Sequence, residues 1–262
     1  SLYNAKIRWN KGDRQGNDSA GAGVYMSGGT FHMYSGSIRE NTTYRNGGGV
    51  YVSGGIFNMY GGTIEENCAA VTSGSAYGEG GGVYVEGGTF TMTGGTITNN
   101  EAASMGGGVL VTGTGGKFTV SGKVNVTGNK KGDIPANDVY LYGGKSITVD
   151  GELDSTARIG VTCRSLNSGE SVTIATGGEG SCTEGNFTAN AGGAHFIKVE
   201  PVTGTSNVNV KLYSGQPPVE THTHYLCGGD SCNGNGGHTC SAIPFTAWTD
   251  SKKLPTQRGD YY

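Results

Sequence analysis

Apolar and polar positions alternate along most of the chain, in short segments that return in the same form. In "GGGVYVEGGTFTMTGGTITNN" (residues 80–100), three segments alternate: Val-Tyr-Val, Thr-Phe-Thr-Met-Thr and Thr-Ile-Thr. A period of two is typical of β-strands, because successive side chains of a strand point to opposite faces. Gly-Gly pairs and an asparagine-containing corner separate the segments. The pattern therefore predicts three short strands in this stretch.

Three stretches of the chain share one internal spacing. Counted from the valine after a glycine-rich triplet, each has Phe, Met, Ile and Asn at offsets 7, 9, 14 and 17. The reference valines are Val24, Val50 and Val83, and a looser copy follows at Val109. The intervals between them are 26, 33 and 26 residues, and the longer one contains an inserted loop near residues 70–78. A fifth copy begins at "DVYLYGGKSITVDG". Repeats of this length indicate a solenoid, a propeller or an array.

The short strands favour a solenoid, because they can pair in parallel with their counterparts about 4.8 Å away in the next coil. We predict an all-β fold, a right-handed parallel β-helix with three short strands per coil of about 26 residues. A propeller is the alternative, although it needs longer strands and about 40 residues per blade. Stacked inward columns are expected at Val24/Val50/Val83/Val109, Phe31/Phe57/Phe90/Phe118 and Ile38/Ile64/Ile97. An asparagine ladder is expected at Asn41, Asn67, Asn100 and Asn129.

The solenoid is expected to cover residues 1–213, with looser strands that finish it and cover its upper end. The opening segment "KIRWN" places Ile7 three residues before Asn10, as in the repeat, so the sequence is expected to begin in mid-coil as a piece of a longer protein. "SGQPPVE" (residues 214–220) predicts a short, stiff linker. Residues 221–262 are expected to form a small His/Cys module that leads into a next domain.

The C-terminal module has three histidines and three cysteines between residues 222 and 240. Mixed thiolate and imidazole sets of this kind favour a structural zinc ion. One tetrahedral ligand set is His224, Cys227, Cys232 and His238, with His222 as an alternative to His224. The other interpretation is a disulfide, either Cys227–Cys232 or one that includes Cys240.

The remaining three cysteines lie in the solenoid. Cys163 and Cys182 belong to the irregular later coils, where they could form a disulfide if their Cα atoms lie close enough. Cys68 follows a ladder asparagine, and we predict a buried free thiol there. Six cysteines allow an oxidising extracellular location without establishing it.

Composition narrows the classes of protein. Glycine supplies 51 of 262 residues, whereas about 7% is usual. Collagen is excluded because glycine does not occupy every third place, and disorder fits poorly because charge is low and β-formers recur. A net charge of −3 argues against nucleic acid as a partner. The sequence has no apolar run of about 18 residues, so we expect no membrane insertion.

An outward tyrosine column is predicted one residue after each reference valine, with Leu110 in the fourth place. Its members are Tyr25, Tyr51, Tyr84 and Tyr140. Stacked tyrosines could offer a flat face to sugar rings or to a protein. The interpretation that we favour is structural: the rings stack on one another and shield the strands. Tyr34 and Tyr60 make a shorter column at offset 10.

Catalysis by a carboxylate pair is disfavoured. Glu40, Glu66 and Glu101 come near one corner, but they flank ladder asparagines and have Arg39 beside them. Glycosidases and lyases need two or three carboxylates together, or a calcium cluster with a base. The residues at this corner are therefore expected to form a solvated edge.

The quoted repeat unit resembles repeats of large surface and secreted proteins of gut Firmicutes, predicted to be parallel β-helices of the pectin-lyase-like type. "DVYLYGGKSITVDGELDSTARIGVTC" is similar to the coil that closes such solenoids. "HTHYLCGGDSCNGNGGH" and "LPTQRGDYY" resemble the spacer between successive solenoids. The resemblance implies an extracellular bacterial protein, secreted or on the cell surface, that adheres to host glycans or glycoproteins, immunoglobulin included.

The expected function is therefore a non-catalytic structural or adhesive segment. Its expected partners are a host glycan or glycoprotein and the adjacent domains of the same chain. Parallel β-helices also resemble the pectate lyase and polygalacturonase families, so a polysaccharide-active lyase or hydrolase is the alternative.

Overall fold

The computed structural model describes residues 1–12, 20–70, 78–134, 136–162, 166–190 and 195–215, which belong to a compact unit spanning Ser1–Pro217. These residues form stacked parallel coils, about six turns of a β-solenoid. The predicted all-β parallel β-helix is thereby confirmed. In chain order the described strands are β1 (Lys6–Arg8), β2 (Val24–Met33), β3 (Ser37–Arg39), β4 (Thr42–Thr43), β5 (Val50–Met59), β6 (Thr63–Glu65), β7 (Cys68–Ala69), β8 (Val83–Val85), β9 (Thr89–Thr98), β10 (Glu101–Ala102), β11 (Val109–Val111), β12 (Lys117–Val126), β13 (Lys130–Lys131), β14 (Val139–Leu141), β15 (Ile147–Leu153), β16 (Arg158–Thr162), β17 (Ser171–Gly178), β18 (Phe187–Ala189), β19 (His195–Pro201) and β20 (Asn207–Ser214).

The three predicted columns lie in the core, together with further buried side chains that include Met59, Met92, Val52 and Val85. We number the coils 1 to 5 from Val24, Val50, Val83, Val109 and Val139, which pair in parallel register. The phenylalanine rings of coils 1 to 4 stack with centroids 5.2, 5.3 and 5.0 Å apart. The isoleucine column begins at Ile7 and continues in register. From coil 2 to coil 4 the side chains of all three columns are fully buried, with Val126 in the isoleucine place of coil 4.

The strand divisions differ from the prediction in two respects. In coils 1 and 2 the valine and phenylalanine segments join in one ten-residue strand, and in coils 3 and 4 the phenylalanine and isoleucine segments do so. The glycine-containing link inside each of these strands shifts the pairing register without ending the strand. A short additional strand also follows each ladder asparagine, in the sheet β4, β7, β10 and β13. Two residues are too few to show a period of two, so the alternation could not reveal it.

The asparagine ladder is present and extends one coil further than the predicted set. Each ladder oxygen accepts a hydrogen bond from the side-chain amide of the preceding coil and one from that residue's backbone N–H. The amide distances are 2.8 Å for Asn10–Asn41, 2.9 Å for Asn41–Asn67, 2.9 Å for Asn67–Asn100 and 2.9 Å for Asn100–Asn129. At the upper end, Asp138 Oδ1 accepts from the backbone and side-chain amides of Asn129, each at 2.8 Å.

The last glycine of each triplet is required by the ladder. A Cβ atom at Gly82 would lie 2.6 Å from the carbonyl oxygen of Gly108 and 3.0 Å from Nδ2 of Asn100. Real Cβ atoms do not approach backbone oxygen so closely. The glycine triplet therefore lets the following coil close over the ladder.

The residue directly before each ladder asparagine has a left-handed backbone. Its φ angle is +59° at Trp9, +55° at Glu40, +56° at Glu66, +55° at Asn99 and +74° at Gly128. A side chain in this region costs about 1–2 kcal/mol, because Cβ crowds the carbonyl oxygen. The corner geometry is thus the same in every coil although the residue type changes.

Replacing Glu66 with glycine is expected to stabilise the protein by about 0.5–1 kcal/mol, since relief of the left-handed strain exceeds the entropy cost of glycine. Urea unfolding of the full chain measures the change. Glu65→Gly is the matched control: Glu65 lies in strand β6, and both carboxylates approach Arg39, at 3.8 Å for Glu65 and 3.4 Å for Glu66. The control should destabilise. Equal losses from both substitutions would contradict the corner argument.

The upper end of the solenoid changes from parallel to antiparallel pairing. β17 pairs in parallel with β15 but antiparallel with β20, and β20 pairs antiparallel with β19. Tyr213 stacks on Phe196 with centroids 4.9 Å apart, and its hydroxyl donates to Glu200. This hairpin covers the last parallel coil, as the looser strand pattern predicted.

The described residues contain no helix that is long and apolar enough to cross a membrane.

Candidate functional site

The tyrosine column (Tyr25, Tyr51, Tyr84 and Tyr140) is built by strand register. Tyr25, Tyr51 and Tyr84 are paired in successive coils, followed by Leu110 and then Tyr140. Each residue follows a buried or half-buried reference valine, so alternation places its side chain on the outer wall. The predicted column is therefore formed; whether it binds a ligand stays a prediction.

The rings of the column cover one another. Centroids are 5.3 Å apart for Tyr25–Tyr51 and 5.0 Å for Tyr51–Tyr84, with interplanar angles of 70° and 75°. Tyr25 is 56% exposed, whereas Tyr84 is only 6% exposed. The hydroxyl of Tyr51 donates a hydrogen bond to the carboxylate of Glu86. Edge-to-face contact thus gives a shielding layer that has one largely open ring, at Tyr25.

Two acidic side chains, Glu79 and Glu86, lie near Tyr51 and Tyr84 of this column. Burial, with the nearby Glu86 carboxylate, raises the pKa of Tyr51. Burial also raises the pKa of Tyr84, and Glu79 and Glu86 add to the effect. The pKa of Glu79 itself is raised by burial. The phenols of Tyr51 and Tyr84 therefore remain neutral at neutral pH.

A second aromatic surface lies on the outward side of β2 and β5. We call it the face patch and define it by His32, Tyr34, Asn58 and Tyr60. The rings of Tyr34 and Tyr60 stack with centroids 4.7 Å apart at 15°, and His32 stacks beside them at 6.0 and 5.9 Å. Nδ1 of His32 lies 3.4 Å from both Asn58 Nδ2 and the Tyr60 hydroxyl. These four side chains, from two adjacent coils, are therefore in mutual contact and form one continuous surface, the plate.

Both tyrosines of the face patch are exposed, whereas exposure in the tyrosine column falls from 56% at Tyr25 to 6% at Tyr84. Tyr34 is 39% exposed, Tyr60 is 43% exposed, and the neighbouring Ile56 is also 43% exposed. Spacing predicted the pair at offset 10 but missed His32 and Asn58. The signal was available, because offset 8 alternates onto the same face as offset 10.

The glutamates at the ladder corner are engaged in ion pairs. Arg39 lies 3.1 Å from Glu40 and 3.4 Å from Glu66, and its hydrogen bond lowers the pKa of Glu40. Lys130 lies 3.0 Å from Glu101. These contacts are partly exposed, as expected for a solvated edge.

The predicted zinc ligands His222, His224, Cys227, Cys232 and His238 lie outside the described residues, so the zinc ion and its disulfide alternative stay predictions. Within the described ranges, no group of three or more His, Cys, Asp and Glu side chains could hold a metal ion.

Cys163 also lies outside the described residues, and its pairing with Cys182 stays a prediction. Cys182 is buried and forms no disulfide with any described residue. Cys68 is free as well but half-buried, less enclosed than predicted, and burial raises the pKa of its thiol.

Comparisons with protein-family models, with curated proteins and with solved structures found no match to this chain.

Proposed function

We propose that the chain is a non-catalytic adhesive segment of a bacterial secreted or surface protein, which presents aromatic side chains on a rigid wall to host glycans or glycoproteins. Immunoglobulin is one candidate among the glycoproteins. The adjacent domains of the same chain are the other expected partners. The extracellular location comes from the resemblance of the repeat unit.

The exposed aromatic surface of the solenoid is the observation that carries the proposal. On the face patch, Tyr34 and Tyr60 keep 39% and 43% of their surface exposed, and their backbone amides donate hydrogen bonds to the Leu2 and Met33 carbonyls of the preceding coil. Aromatic rings on rigid strands bind saccharides at low entropic cost, because little side-chain freedom remains to be lost. The ion pairs of Glu40, Glu66 and Glu101 support a non-catalytic role, since those carboxylates already have cationic partners.

We expect the 262-residue chain to bind a subset of glycans on an array, or a host glycoprotein such as immunoglobulin, and to leave those ligands chemically intact. Binding is measured on immobilised glycans and by biolayer interferometry with glycoproteins before and after enzymatic deglycosylation. A chain that binds none of these ligands would contradict the adhesive role.

Polysaccharide cleavage is the second candidate, favoured by one observation. Glu79 is a partly buried carboxyl with a raised pKa, and Tyr84 lies near both it and Glu86. A carboxyl group of this kind can serve as a general acid. Incubation with pectins and mucin glycans should then release reducing or unsaturated ends, and Glu79→Gln should abolish the release. Intact substrates would leave the adhesive role standing.

A further inference from the structure

The geometry points to a binding subsite for one ring of a neutral saccharide, located where the face patch meets coil 3. The inference rests on the adhesive role proposed above and names both its ligand class and its residues. It places the ligand on the face patch instead of on the tyrosine column.

The subsite lies where the outward side chains become shorter, from Tyr60 in coil 2 to Thr93 in coil 3; we call this change the step. One face of the Tyr60 ring is covered by Tyr34 at 4.7 Å. Its opposite face is directed toward coil 3, where Thr93 takes the equivalent place, since Tyr60 and Thr93 follow the paired Met59 and Met92. Threonine has no ring to continue the stack. Tyr60 keeps 43% of its surface exposed, so a ring-sized ligand has an aromatic wall to pack against.

The floor of the step carries hydrogen-bonding groups. Thr89 and Thr91 pair in register with Ile56 and Asn58, and Thr93 follows one alternation later. All three threonines are half-buried and alternate with the buried Phe90 and Met92, so their hydroxyl groups line the outer face.

This combination matches the surface of a pyranose ring. The axial C–H groups of a sugar form an apolar face that packs on an aromatic ring, while its hydroxyl groups need hydrogen-bond partners at the rim. Tyr60 and the exposed Ile56 offer the apolar contact, and Asn58 with the threonine hydroxyls offers the polar one. His32, on coil 1, holds Asn58 and Tyr60 in position, because its Nδ1 contacts both side chains.

The residues of the step favour a neutral ligand over an acidic one. The subsite is formed by Ile56, Asn58, Tyr60, Thr89, Thr91 and Thr93, none of which is charged. The exposed Lys117 and Lys123 lie one coil further on, in register with Thr89 and Gly94, outside the step itself. Recognition of a sialylated or uronic-acid glycan would need a cationic partner for its carboxylate within the step. The tyrosine column differs, because its Tyr51 hydroxyl is already bonded to Glu86. Its rings also meet edge to face, so the column offers no flat, open ring face comparable to that of Tyr60.

Three variants of the full chain test the subsite against arrays of neutral and acidic glycans. Tyr60→Ala should weaken binding to neutral glycans by about tenfold or more, the loss typical when one stacking ring is truncated. Tyr60→Phe should stay within about fivefold, since it removes a single hydroxyl hydrogen bond. Tyr25→Ala, which truncates the most exposed ring of the tyrosine column, should leave binding unchanged. Both sites are on the surface, and thermal midpoints check that the three variants fold.

The outcomes separate the subsite from the adhesive role. Neutral-glycan binding that Tyr25→Ala removes and Tyr60→Ala spares would overturn the subsite while the adhesive role stands. Binding restricted to acidic glycans, or to protein after deglycosylation, would do the same. Binding to no glycan and no glycoprotein would overturn both.

Discussion

Asn100→Ala should destabilise the protein by about 4 kcal/mol. It removes two hydrogen bonds to the amide oxygen and those of the two NH2 hydrogens, which three acceptors share, and each donated hydrogen is worth roughly 1 kcal/mol in the core. Oδ1 of Asn100 accepts from the side chain and backbone of Asn67, at 2.9 and 3.0 Å. Its Nδ2 donates to Asn129 Oδ1, to the Ile64 carbonyl and to the Thr98 carbonyl, at 2.9, 2.9 and 3.0 Å. Asn100 is fully buried, so water cannot replace these partners.

The neighbouring Asn99 supplies the control. Asn99 is exposed and has a φ of +55°, so Asn99→Gly should leave stability unchanged or raise it slightly. Thermal unfolding followed by circular dichroism compares the two variants, and the ladder variant should melt about 10 °C lower. A shift of only a degree or two for Asn100→Ala would show that the core columns hold the coils without the ladder.

The sequence predicts the columns well because they repeat an identical chemistry at fixed offsets. Val50 and Val83 lie on adjoining coils even though 33 residues separate them, since the insertion falls between β7 and β8 and leaves the strands alone. A buried position accepts few residue types, so its periodicity is strong. The ladder is equally visible, because only asparagine offers a donor and an acceptor in that geometry.

Other features carry no such signal. The left-handed corner accepts tryptophan, glutamate, asparagine or glycine, because its side chain points to solvent and the fold supplies the strain energy. The face patch is visible only as two tyrosines, since His32 and Asn58 share a face but no chemistry. Which surface binds a ligand depends on ring angles and exposure, and spacing does not determine these.

The last residue of the ladder, Asp138, could not be predicted from the repeat spacing, for a structural reason. Asp138 stands directly before the reference valine of coil 5, the place that glycine holds in coils 1 to 4. In those coils a side chain at this place would clash with the ladder asparagine of the same coil: a Cβ atom at Gly108 would lie 2.8 Å from Nδ2 of Asn129. At coil 5 the side chain itself takes the next ladder place. It lies only nine residues after Asn129, so counting by whole coils passes over it.

Asp138 serves as the terminal acceptor of the ladder. It is 3% exposed, and its Oδ1 accepts from both amides of Asn129 at 2.8 Å. Its Oδ2 accepts from Nδ2 of Asn190 at 2.6 Å, which joins the ladder to the residues after β18. Two carboxylate oxygens thus satisfy three donors in a site that water does not reach.

Asp138→Ala should therefore cost about 3–4 kcal/mol, because it leaves the two amides of Asn129 and that of Asn190 without an acceptor. Asp138→Asn should cost clearly less, since its amide oxygen still accepts from Asn129 and the half-buried Asn190 amide can turn to accept from the new NH2 group. Asp133→Ala, at an exposed site nearby, should stay within about 0.5 kcal/mol of the parent. Guanidinium unfolding of the four proteins measures the order. If the asparagine and alanine variants were equally unstable, the negative charge of Asp138, and not its acceptor geometry, would be what closes the ladder.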